Sequence, residues 1–207
     1  MGHHAKKKLM RPSQRDRPDV ADERAQYAEA MPLLNASDLV FIDESGIEQG
    51  MRLRYGYAPR AQRCIENAPF RIGRRTSLIG FVGIESGQVL PVKGSVNASV
   101  FETFVRGCLV PHLRAGMVVI WDNARIHSAE AVRLVEATGA RVLALPRYSP
   151  EYNAIEHFWS KVKHFVRKAG ADTAETLSEA LDAAVALVTP EDVKGWIEHC
   201  GYQFQPS

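Results

Sequence analysis

Hydrophobic residues in this chain occur in two patterns, short continuous runs and longer stretches with a helical repeat. Continuous apolar runs are typical of strands buried on both faces, whereas apolar residues three or four positions apart predict helices that bury one side. The runs predict strands over residues 39–42, 77–84, 89–92, 117–121 and 142–145. The repeating stretches predict helices over residues 19–34, 97–113, 128–138, 154–169, 173–188 and 190–199.

The order of these elements predicts the fold class. A first strand is followed by two further strands in a hairpin-like arrangement, and then by helices and strands in alternation. This order is typical of an α/β domain with one mixed sheet covered by helices. We divide the chain into a basic arm and linker helix, residues 1–35, and a main domain with C-terminal helices, residues 36–207. In a sheet of this kind, functional sites collect at the carboxyl ends of central strands.

Composition narrows the class of protein further. Hydrophobic residues make up 45% and charged residues 24% of the chain, which are ordinary proportions for a soluble globular domain. Every apolar run is shorter than the roughly 18 residues needed to cross a membrane, and the basic N-terminal segment lacks the apolar stretch of a secretion signal. The three cysteines lie far apart, which fits a reducing cytoplasm rather than a disulfide scaffold. His3 and His4 resemble the remnant of an expression tag.

The net charge of +2 conceals an uneven distribution of charged residues. Between Arg52 and Arg75, seven arginines accompany a single acid, Glu66, whereas the chain from Ala171 onward carries seven acids and one base, Lys194. A local positive field attracts a polyanion such as nucleic acid even when the total charge is near zero. The alternative is that both regions are simply solvated surfaces.

Three acids stand where the predicted sheet would form a site. Two of the predicted strands end on an aspartate, Asp43 and Asp122, and Glu156 lies in the first turn of the helix predicted over 154–169. If the two strands are neighbours, these carboxylates meet, and their mutual repulsion must be relieved by protons or cations. Oxygen ligands suit Mg²⁺ or Mn²⁺, and a pair of such ions supports in-line displacement at phosphorus.

Each acid also has a purely structural alternative. Asp43 and Asp122 could be ordinary turn residues after their strands. Asn153 and Glu156 have the spacing of a capping box, in which the glutamate would only satisfy a backbone N–H at the helix start. Glu44 follows Asp43 directly, but strand alternation directs it to the opposite face of the sheet, so we leave it out of the site.

Three sequence blocks around these acids resemble the signature motifs of the DDE transposases of the mariner superfamily, most closely its bacterial insertion-sequence branch. The blocks are Val40-Phe-Ile-Asp-Glu-Ser-Gly46, Val119-Ile-Trp-Asp-Asn-Ala-Arg-Ile-His127 and Leu145-Pro-Arg-Tyr-Ser-Pro-Glu-Tyr-Asn-Ala-Ile-Glu156. The segment Arg54-Tyr-Gly-Tyr-Ala-Pro-Arg60 resembles the region after the first aspartate in that branch. Arg147 and Ala154 depart from the usual third block, which has prolines there, and we expect Arg147 to add a positive charge near the site.

The resemblance implies a fold, a reaction and partners. The fold is a ribonuclease-H-like core, in which Asp43, Asp122 and Glu156 bind two Mg²⁺ ions, with Mn²⁺ as a substitute. The reaction is that of a transposase: water cuts the end of a mobile element, and the freed 3′-hydroxyl attacks target DNA, usually at a TA step. The family works as dimers or larger assemblies on paired DNA ends, and we expect this chain in the bacterial cytoplasm, at the nucleoid when bound to DNA.

Basic and polar residues around the acids are candidates for contact with DNA. On a helical wheel, Lys163 and Arg167 share a flank with Glu156 and could seat a phosphate backbone, although a solvated face is an equal alternative. The arginine-rich segment adds four further candidates: Arg52, Arg54, Arg60 and Arg63. Asn123 could orient the second aspartate or a phosphate, and His127 is expected to support the site from behind the ligands or to start a helix.

Members of this family recognise the ends of mobile elements with helix-turn-helix modules that precede the catalytic part. The 42 residues before Asp43 contain one predicted helix and a basic arm, too few for two such modules. We therefore expect the catalytic portion alone, with a separate helix-turn-helix chain or an upstream reading frame as partner. Two alternatives stay open: a remnant that binds DNA without catalysis, and a nuclease of the same fold that acts on RNA–DNA hybrids.

Overall fold

Five strands form one mixed sheet in the computed structural model, which describes residues 13–67 and 73–205. The strands are β1 (Leu39–Glu48), β2 (Arg75–Gly83), β3 (Gly87–Val92), β4 (Val118–Trp121) and β5 (Arg141–Ala144). Their order across the sheet is β3–β2–β1–β4–β5. β1, β2 and β3 pair antiparallel, whereas β4 runs parallel to β1 and β5 runs parallel to β4. The mixed α/β sheet predicted from the sequence is confirmed.

Within the same described ranges, six α-helices accompany the sheet. They are α1 (Pro18–Ala30), α2 (Ala98–Phe104), α3 (Ala129–Glu136), α4 (Ile155–Ala169), α5 (Ala174–Ala186) and α6 (Pro190–His199). The helix predicted over 97–113 is regular only in its first half, because the chain continues after α2 as a π turn over Val105–Leu109 and a 3-10 turn over Val110–His112. Pro111 lies in that last turn and lacks the backbone N–H that a longer α-helix would need.

The sheet separates two hydrophobic clusters, because strand alternation sends successive side chains to opposite faces. Leu39 and Phe41 of β1 pack in the cluster that contains residues of α4, α5 and α6. Val40 and Ile42 pack in the other cluster, with residues of α2 and α3. By the same alternation, Asp43 lies on the face of the sheet that packs against α4, and Glu44 lies on the face that packs against α2 and α3.

Helix α4 contributes the predicted apolar stripe to the first cluster. Five of its residues are buried and Phe165 is half-buried; the buried ones are Ile155, Phe158, Trp159, Val162 and Val166. Burying each such side chain is worth about 1.5–3 kcal/mol, so this stripe fixes the helix against the sheet. The helix ends at Gly170, whose φ of 64° is left-handed and where a side chain would meet the guanidinium of Arg52.

Helix α1 belongs to the same packed unit as the sheet. Its Val20 and Tyr27 are buried, as is Met31 directly after it, and the Tyr27 hydroxyl lies 2.8 Å from that of Tyr202 near the C-terminal end. The helix of the predicted segment 1–35 therefore packs on the main domain, and the domain boundary at residue 35 stays a prediction. The predicted N-terminal arm lies largely outside the described residues, and His3 and His4 lie wholly outside them. Among the helices that the structure describes, none is long and apolar enough to span a membrane.

Candidate active site

The parallel pairing of β1 with β4 brings the first two acids to one edge of the sheet. Phe41 pairs with Ile120 in this register, so Asp43 and Asp122 each lie two residues beyond the same paired position. The predicted end of β1 at Ile42 is wrong, since β1 continues to Glu48 through its antiparallel ladder with β2. Asp43 is thus a residue within β1. It is next to Asp122 because the neighbouring strand β4 ends at Trp121, one residue before Asp122.

Glu156 reaches this edge from the first turn of α4, and it does not form the capping box that its spacing suggests. The helix has Ala154 at its N-cap position, without a capping side chain. The side-chain oxygen of Asn153, Oδ1, is buried and has no hydrogen-bond partner among the described residues. Glu156 itself is exposed. The capping alternative for Glu156 is therefore wrong.

The three acids line one open cleft, of about 450 Å³. The opposite wall is the segment between β5 and α4, residues 145–150, and the buried Asn153 also lines the cleft. The chain thus brings Asp43, Asp122 and Glu156 together from two strands and one helix, as the strand–strand–helix order predicts.

Asp43 is the least exposed of these acids. Burial raises the pKa of its carboxyl to about 7, and the negative charges of Glu44 and Glu156 add to this effect. The indole Nε1 of Trp159 donates a hydrogen bond to Asp43 Oδ2 over 3.2 Å. The helical spacing of Trp159 fits the buried stripe of α4, and nothing in the sequence indicates where its N–H points.

Asp122 lies in an exposed turn that its neighbours hold in place. Its Oδ1 accepts a hydrogen bond from the backbone N–H of Ala124 over 2.9 Å. The side-chain amide of Asn123 donates to the Leu145 carbonyl over 2.6 Å, so this residue ties the Asp122 turn to the start of the opposite cleft wall. Asn123 therefore holds the turn through a neighbouring backbone, and its side chain does not bond the Asp122 carboxylate.

His127 lies behind the Asp122 turn, on the other face of the sheet. Its ring packs against Phe101 and Trp121, and its Nδ1 lies 2.8 Å from the Asp122 carbonyl oxygen. Its Nε2 lies 3.4 Å from Glu44 Oε1. Burial opposes a charge on His127, but the hydrogen bond and the charge of Glu44 outweigh it and raise the pKa of the ring. Glu44 points away from Asp43 as predicted, yet it contacts a residue that supports the site.

The donor chemistry of the cleft fits a hard divalent cation. Carboxylate oxygens and the unpartnered Asn153 Oδ1 are ligands of the kind that Mg²⁺ prefers. Burial and the neighbouring carboxylates raise the pKa of Asp43, and a bound cation would stabilise its ionised form. In the part of the chain that the structure describes, no three His, Cys, Asp or Glu side chains are close enough to hold a metal as they stand. The cleft therefore has suitable ligands but not a preformed cage, as expected for carboxylates that repel each other.

Two basic residues of α4, Lys163 and Arg167, follow Glu156 along the helix, and the nearer one, Lys163, interacts with the acids. Lys163 is half-buried, and burial together with the nearby charge of Arg167 lowers its pKa, while Glu156 and Asp43 act in the opposite direction. Lys163 thus lies close enough to the acidic edge for its charge to interact with Asp43 and Glu156, and Arg167 lies about one turn further along the helix. The predicted flank of α4 is present, and its role in binding DNA stays a prediction.

The arginines of the β1–β2 connection do not share one environment. Arg54, Arg60 and Arg63 are exposed on a segment of irregular backbone. Arg52 instead packs under the end of α4, where its guanidinium bonds Asp172 over 3.1 Å and approaches Glu66 at 3.4 Å. Its side chain is only 16% exposed. We correct the prediction for Arg52, which is engaged in an internal ion pair rather than presented to a ligand.

Arg147 is a second correction, because its charge is already paired. Its guanidinium bonds Asp19 and Glu23 of α1, each at 2.7 Å, so it joins α1 to the cleft wall and adds little net positive charge. Arg24 of the same helix bonds the hydroxyl of Ser149 next to it on the wall. The sequence separates these partners by more than a hundred residues and provides no signal for their pairing.

The comparison with known families agrees with this geometry. The sequence model of the DDE superfamily endonucleases matches residues 38–178, which include all three acids. The chain belongs to this family. A search of curated proteins returned no match.

Solved structures give the same fold. A Mos1 transposase paired-end complex with the left transposon end matches 99% of this chain and 69% of its own, with a TM-score of 0.72 and 21% identity. A Mos1 mariner paired-end complex with Mn matches over the same shares, with a TM-score of 0.68 and 21% identity. The Mos1 catalytic domain with Raltegravir and Mg matches 91% of this chain and 98% of its own, with a TM-score of 0.60 and 18% identity. The predicted ribonuclease-H-like fold is therefore confirmed.

Proposed function

We propose that this chain is the catalytic part of a DNA transposase from the bacterial insertion-sequence branch of the mariner superfamily. The observation that carries the proposal is the convergence of Asp43, Asp122 and Glu156 on one cleft, in a chain that belongs to the DDE endonucleases. The reaction is cleavage of a phosphodiester by water at the end of a mobile element. Attack of the freed 3′-hydroxyl on a target phosphodiester, usually at a TA step, then joins the two DNAs.

Asp43, Asp122 and Glu156 would hold two Mg²⁺ ions, with Mn²⁺ as a substitute; Mos1 structures contain Mg or Mn. When bound, such ions activate the attacking oxygen and stabilise the leaving one. The chain's own groups keep these ligands oriented. The indole of Trp159 holds Asp43, and the Ala124 N–H holds Asp122. Asn123 and His127 hold the backbone of the Asp122 turn, so both act by positioning.

DNA would approach the acidic edge along its basic neighbours. Lys163 lies beside the acids and Arg167 about one turn further along α4, where they could neutralise successive phosphates near the reacting one. Arg54, Arg60 and Arg63 extend the positive surface outward on the β1–β2 connection. These contacts are not specific for sequence, and binding through them should weaken steeply with salt.

The proposal also covers the assembly and its location. Mos1 structures include paired-end and strand transfer complexes, which supports DNA as the partner of this chain. The active form would be a homodimer. Recognition of transposon ends would be supplied by helix-turn-helix modules on a separate chain or in an upstream reading frame. The assembly would act in the bacterial cytoplasm, at the nucleoid.

Nicking of supercoiled plasmid DNA in the presence of Mn²⁺ tests the proposed function. Asp122→Asn should lower the nicking rate at least about a hundredfold, because it removes a ligand charge from the metal pair. The matched control is Glu85→Gln, which neutralises an exposed acid far from the cleft, in the turn between β2 and β3, and should nick normally. Thermal unfolding of both variants establishes that they fold. If Asp122→Asn nicked DNA at the wild-type rate, Asp122 would not be a metal ligand of the reaction and the proposed function would fail.

A second candidate is a remnant that binds DNA but does not cut it. The exposed arginines Arg54, Arg60 and Arg63 would bind DNA without any contribution from the acids, which is the observation that supports this candidate. This candidate predicts salt-sensitive DNA binding that is indifferent to sequence, without nicking in Mn²⁺. Nicking that depends on Asp122 excludes it.

A further inference from the structure

Tyr148 has an unusual backbone conformation on the wall of the acidic cleft. Its φ is 56°, in the left-handed region that side chains with a Cβ seldom adopt. The ring is 42% exposed, and the residue lines the same cleft as Asp43, Asp122 and Glu156. A large aromatic side chain is thus held in a costly conformation beside the site of chemistry, and such strain concentrates at functional positions.

The residues on both sides of Tyr148 are anchored, which explains how the conformation persists. Arg147 is bound to Asp19 and Glu23 of α1. Ser149 is buried, and its hydroxyl accepts a hydrogen bond from Arg24 and donates one to the Arg147 carbonyl over 3.1 Å. Ion pairs and a buried hydroxyl therefore fix the turn from α1, while the Tyr148 ring itself does not anchor it.

The ring of Tyr148 has no structural task among the residues that the structure describes. Its hydroxyl makes no hydrogen bond there, and no other aromatic ring packs against it. The neighbouring tyrosines behave differently: Tyr27 stacks on Tyr152, and the Tyr202 hydroxyl donates to the Tyr152 carbonyl over 2.8 Å. Those three tyrosines therefore pack against one another, whereas Tyr148 lines the cleft.

We propose that Tyr148 is a stacking platform for an unpaired nucleobase next to the phosphate that reacts in the cleft. The inference rests on the proposed function, and it makes Tyr148 a positioning residue for the DNA end. A base has the flat apolar face that an exposed ring stacks on, and its phosphate can approach the acids once cations neutralise them. Stacking tolerates any base, so this contact would orient a strand end without selecting its sequence.

Fluorescence anisotropy on two labelled DNA duplexes tests the stack, with Ca²⁺ in place of Mg²⁺ so that cleavage does not proceed. One duplex is blunt, and the other has the same pairs plus a short single-stranded 3′ tail. Wild-type protein should bind the tailed duplex at least about fivefold more tightly, because each base–aromatic stack contributes that much or more. Tyr148→Phe should keep this advantage, whereas Tyr148→Leu and Tyr148→Gly should lose it and bind the blunt duplex as before.

The glycine variant separates stacking from a structural role. Glycine adopts a positive φ without strain, so Tyr148→Gly should unfold at the wild-type temperature or above it. Loss of the tail advantage in this variant would therefore support the stack. The stacking proposal would be overturned if Tyr148→Leu and Tyr148→Gly still bound the tailed duplex more tightly than the blunt one. A changed oligomeric state in these variants would also overturn it, because the ring would then contact a second copy of the chain.

The failure of this inference differs from that of the proposed function. Wild-type protein that nicks plasmid DNA in Mn²⁺ but binds both duplexes equally would overturn the stack alone. Wild-type protein that neither nicks plasmid nor binds either duplex would overturn the proposed function and the stack with it.

Discussion

The acidic cleft and the arginine-rich β1–β2 connection are built in opposite ways. In the cleft, Asp43 and Asp122 take their positions from the register of β1 and β4, and Glu156 takes its position from a helix fixed by a buried stripe. In the connection, Tyr55 and Tyr57 are 90% and 105% exposed, and the described part of the backbone is irregular. Within its described residues, the connection is tied to the rest of the chain at its base, where the Gly50 N–H donates to the Ala171 carbonyl over 2.7 Å.

This difference suggests that the cleft carries out the reaction and that the connection binds the DNA. The positions of the acids are determined by the same contacts that stabilise the fold, so metal binding should be a property of the isolated chain. The exposed arginines have few contacts that fix their positions, so their geometry should form on the nucleic acid. We expect substitutions of the three acids to remove catalysis at unchanged affinity for duplex DNA, and substitutions of the exposed arginines in the connection to do the reverse.

The largest expected effect is that of Asp43→Asn on nicking. The variant should lose at least about a hundredfold in rate, because the metal pair loses a charged ligand. Its affinity for duplex DNA, measured by anisotropy, should stay the same or rise, since a negative charge is removed from the binding face. A parallel loss of affinity and rate would mean that the cleft and the connection are not separable.

The next effect is on stability and depends on pH. The pKa of Asp43 is about 7 in the folded chain and near 3.9 when unfolded, so the folded state binds the proton more tightly. Its contribution to stability is therefore complete below about pH 4 and is lost as the pH rises through 7. The free energy of unfolding of Asp43→Asn, relative to wild type, should increase by about 2 kcal/mol from pH 5 to pH 8.

Urea unfolding in EDTA at the two pH values measures this change. The control is Asp182→Asn, which neutralises an exposed acid on α5 and should track the wild-type curve. Equal differences between Asp43→Asn and wild type at pH 5 and pH 8 would show that Asp43 titrates normally in the folded chain.

A smaller effect is expected from the connection. Replacing Arg54, Arg60 and Arg63 together by Gln should lower DNA affinity about tenfold at moderate salt and reduce the slope of log K against log salt by about 3. Stability should change by less than about 0.5 kcal/mol, because the three side chains are exposed. A higher protein concentration should restore nicking. If the nicking rate of the triple variant stayed low at saturating protein, these arginines would contribute to catalysis as well as to DNA binding.

The smallest effect concerns Arg52, which sequence composition groups with those three. Arg52→Gln should leave the salt dependence of DNA binding unchanged and lower the free energy of unfolding by about 1 kcal/mol, since it removes a partly exposed ion pair with Asp172. Thermal melting and anisotropy on the same sample test both statements. A reduced salt slope with unchanged stability would return Arg52 to the set that contacts DNA.

The parts of the fold that could be predicted from the sequence are those with a local physical signal. The apolar runs gave all five strands, and the stripe of α4 gave that helix within one residue. The end of β1 was missed because Asp43 and Glu44 interrupt its apolar run, whereas the ladder with β2 carries the strand on to Glu48. The pairing of Arg147 with α1 depends on tertiary proximity, which leaves no periodicity to detect.

The candidate site divides in the same way. Asp43, Asp122 and Glu156 could be proposed because strand ends and motif blocks have recognisable patterns. The orientation of Trp159 toward Asp43 and the positive φ of Tyr148 follow from packing and from anchors on α1. A tyrosine in a loop can adopt many backbone conformations, and the sequence does not indicate which one. The positive φ of Tyr148 is selected by its anchored neighbours.

The most direct test of the account is a crystal of the chain soaked in Mn²⁺ and measured at a wavelength where manganese scatters anomalously. We predict manganese peaks in the cleft, with oxygens of Asp43, Asp122 and Glu156 within about 2.1 Å of the ions, as ligation by carboxylates requires. Manganese that binds elsewhere, or a cleft in which one of the three side chains stays out of reach at saturating Mn²⁺, would contradict the claim that these acids form one metal site.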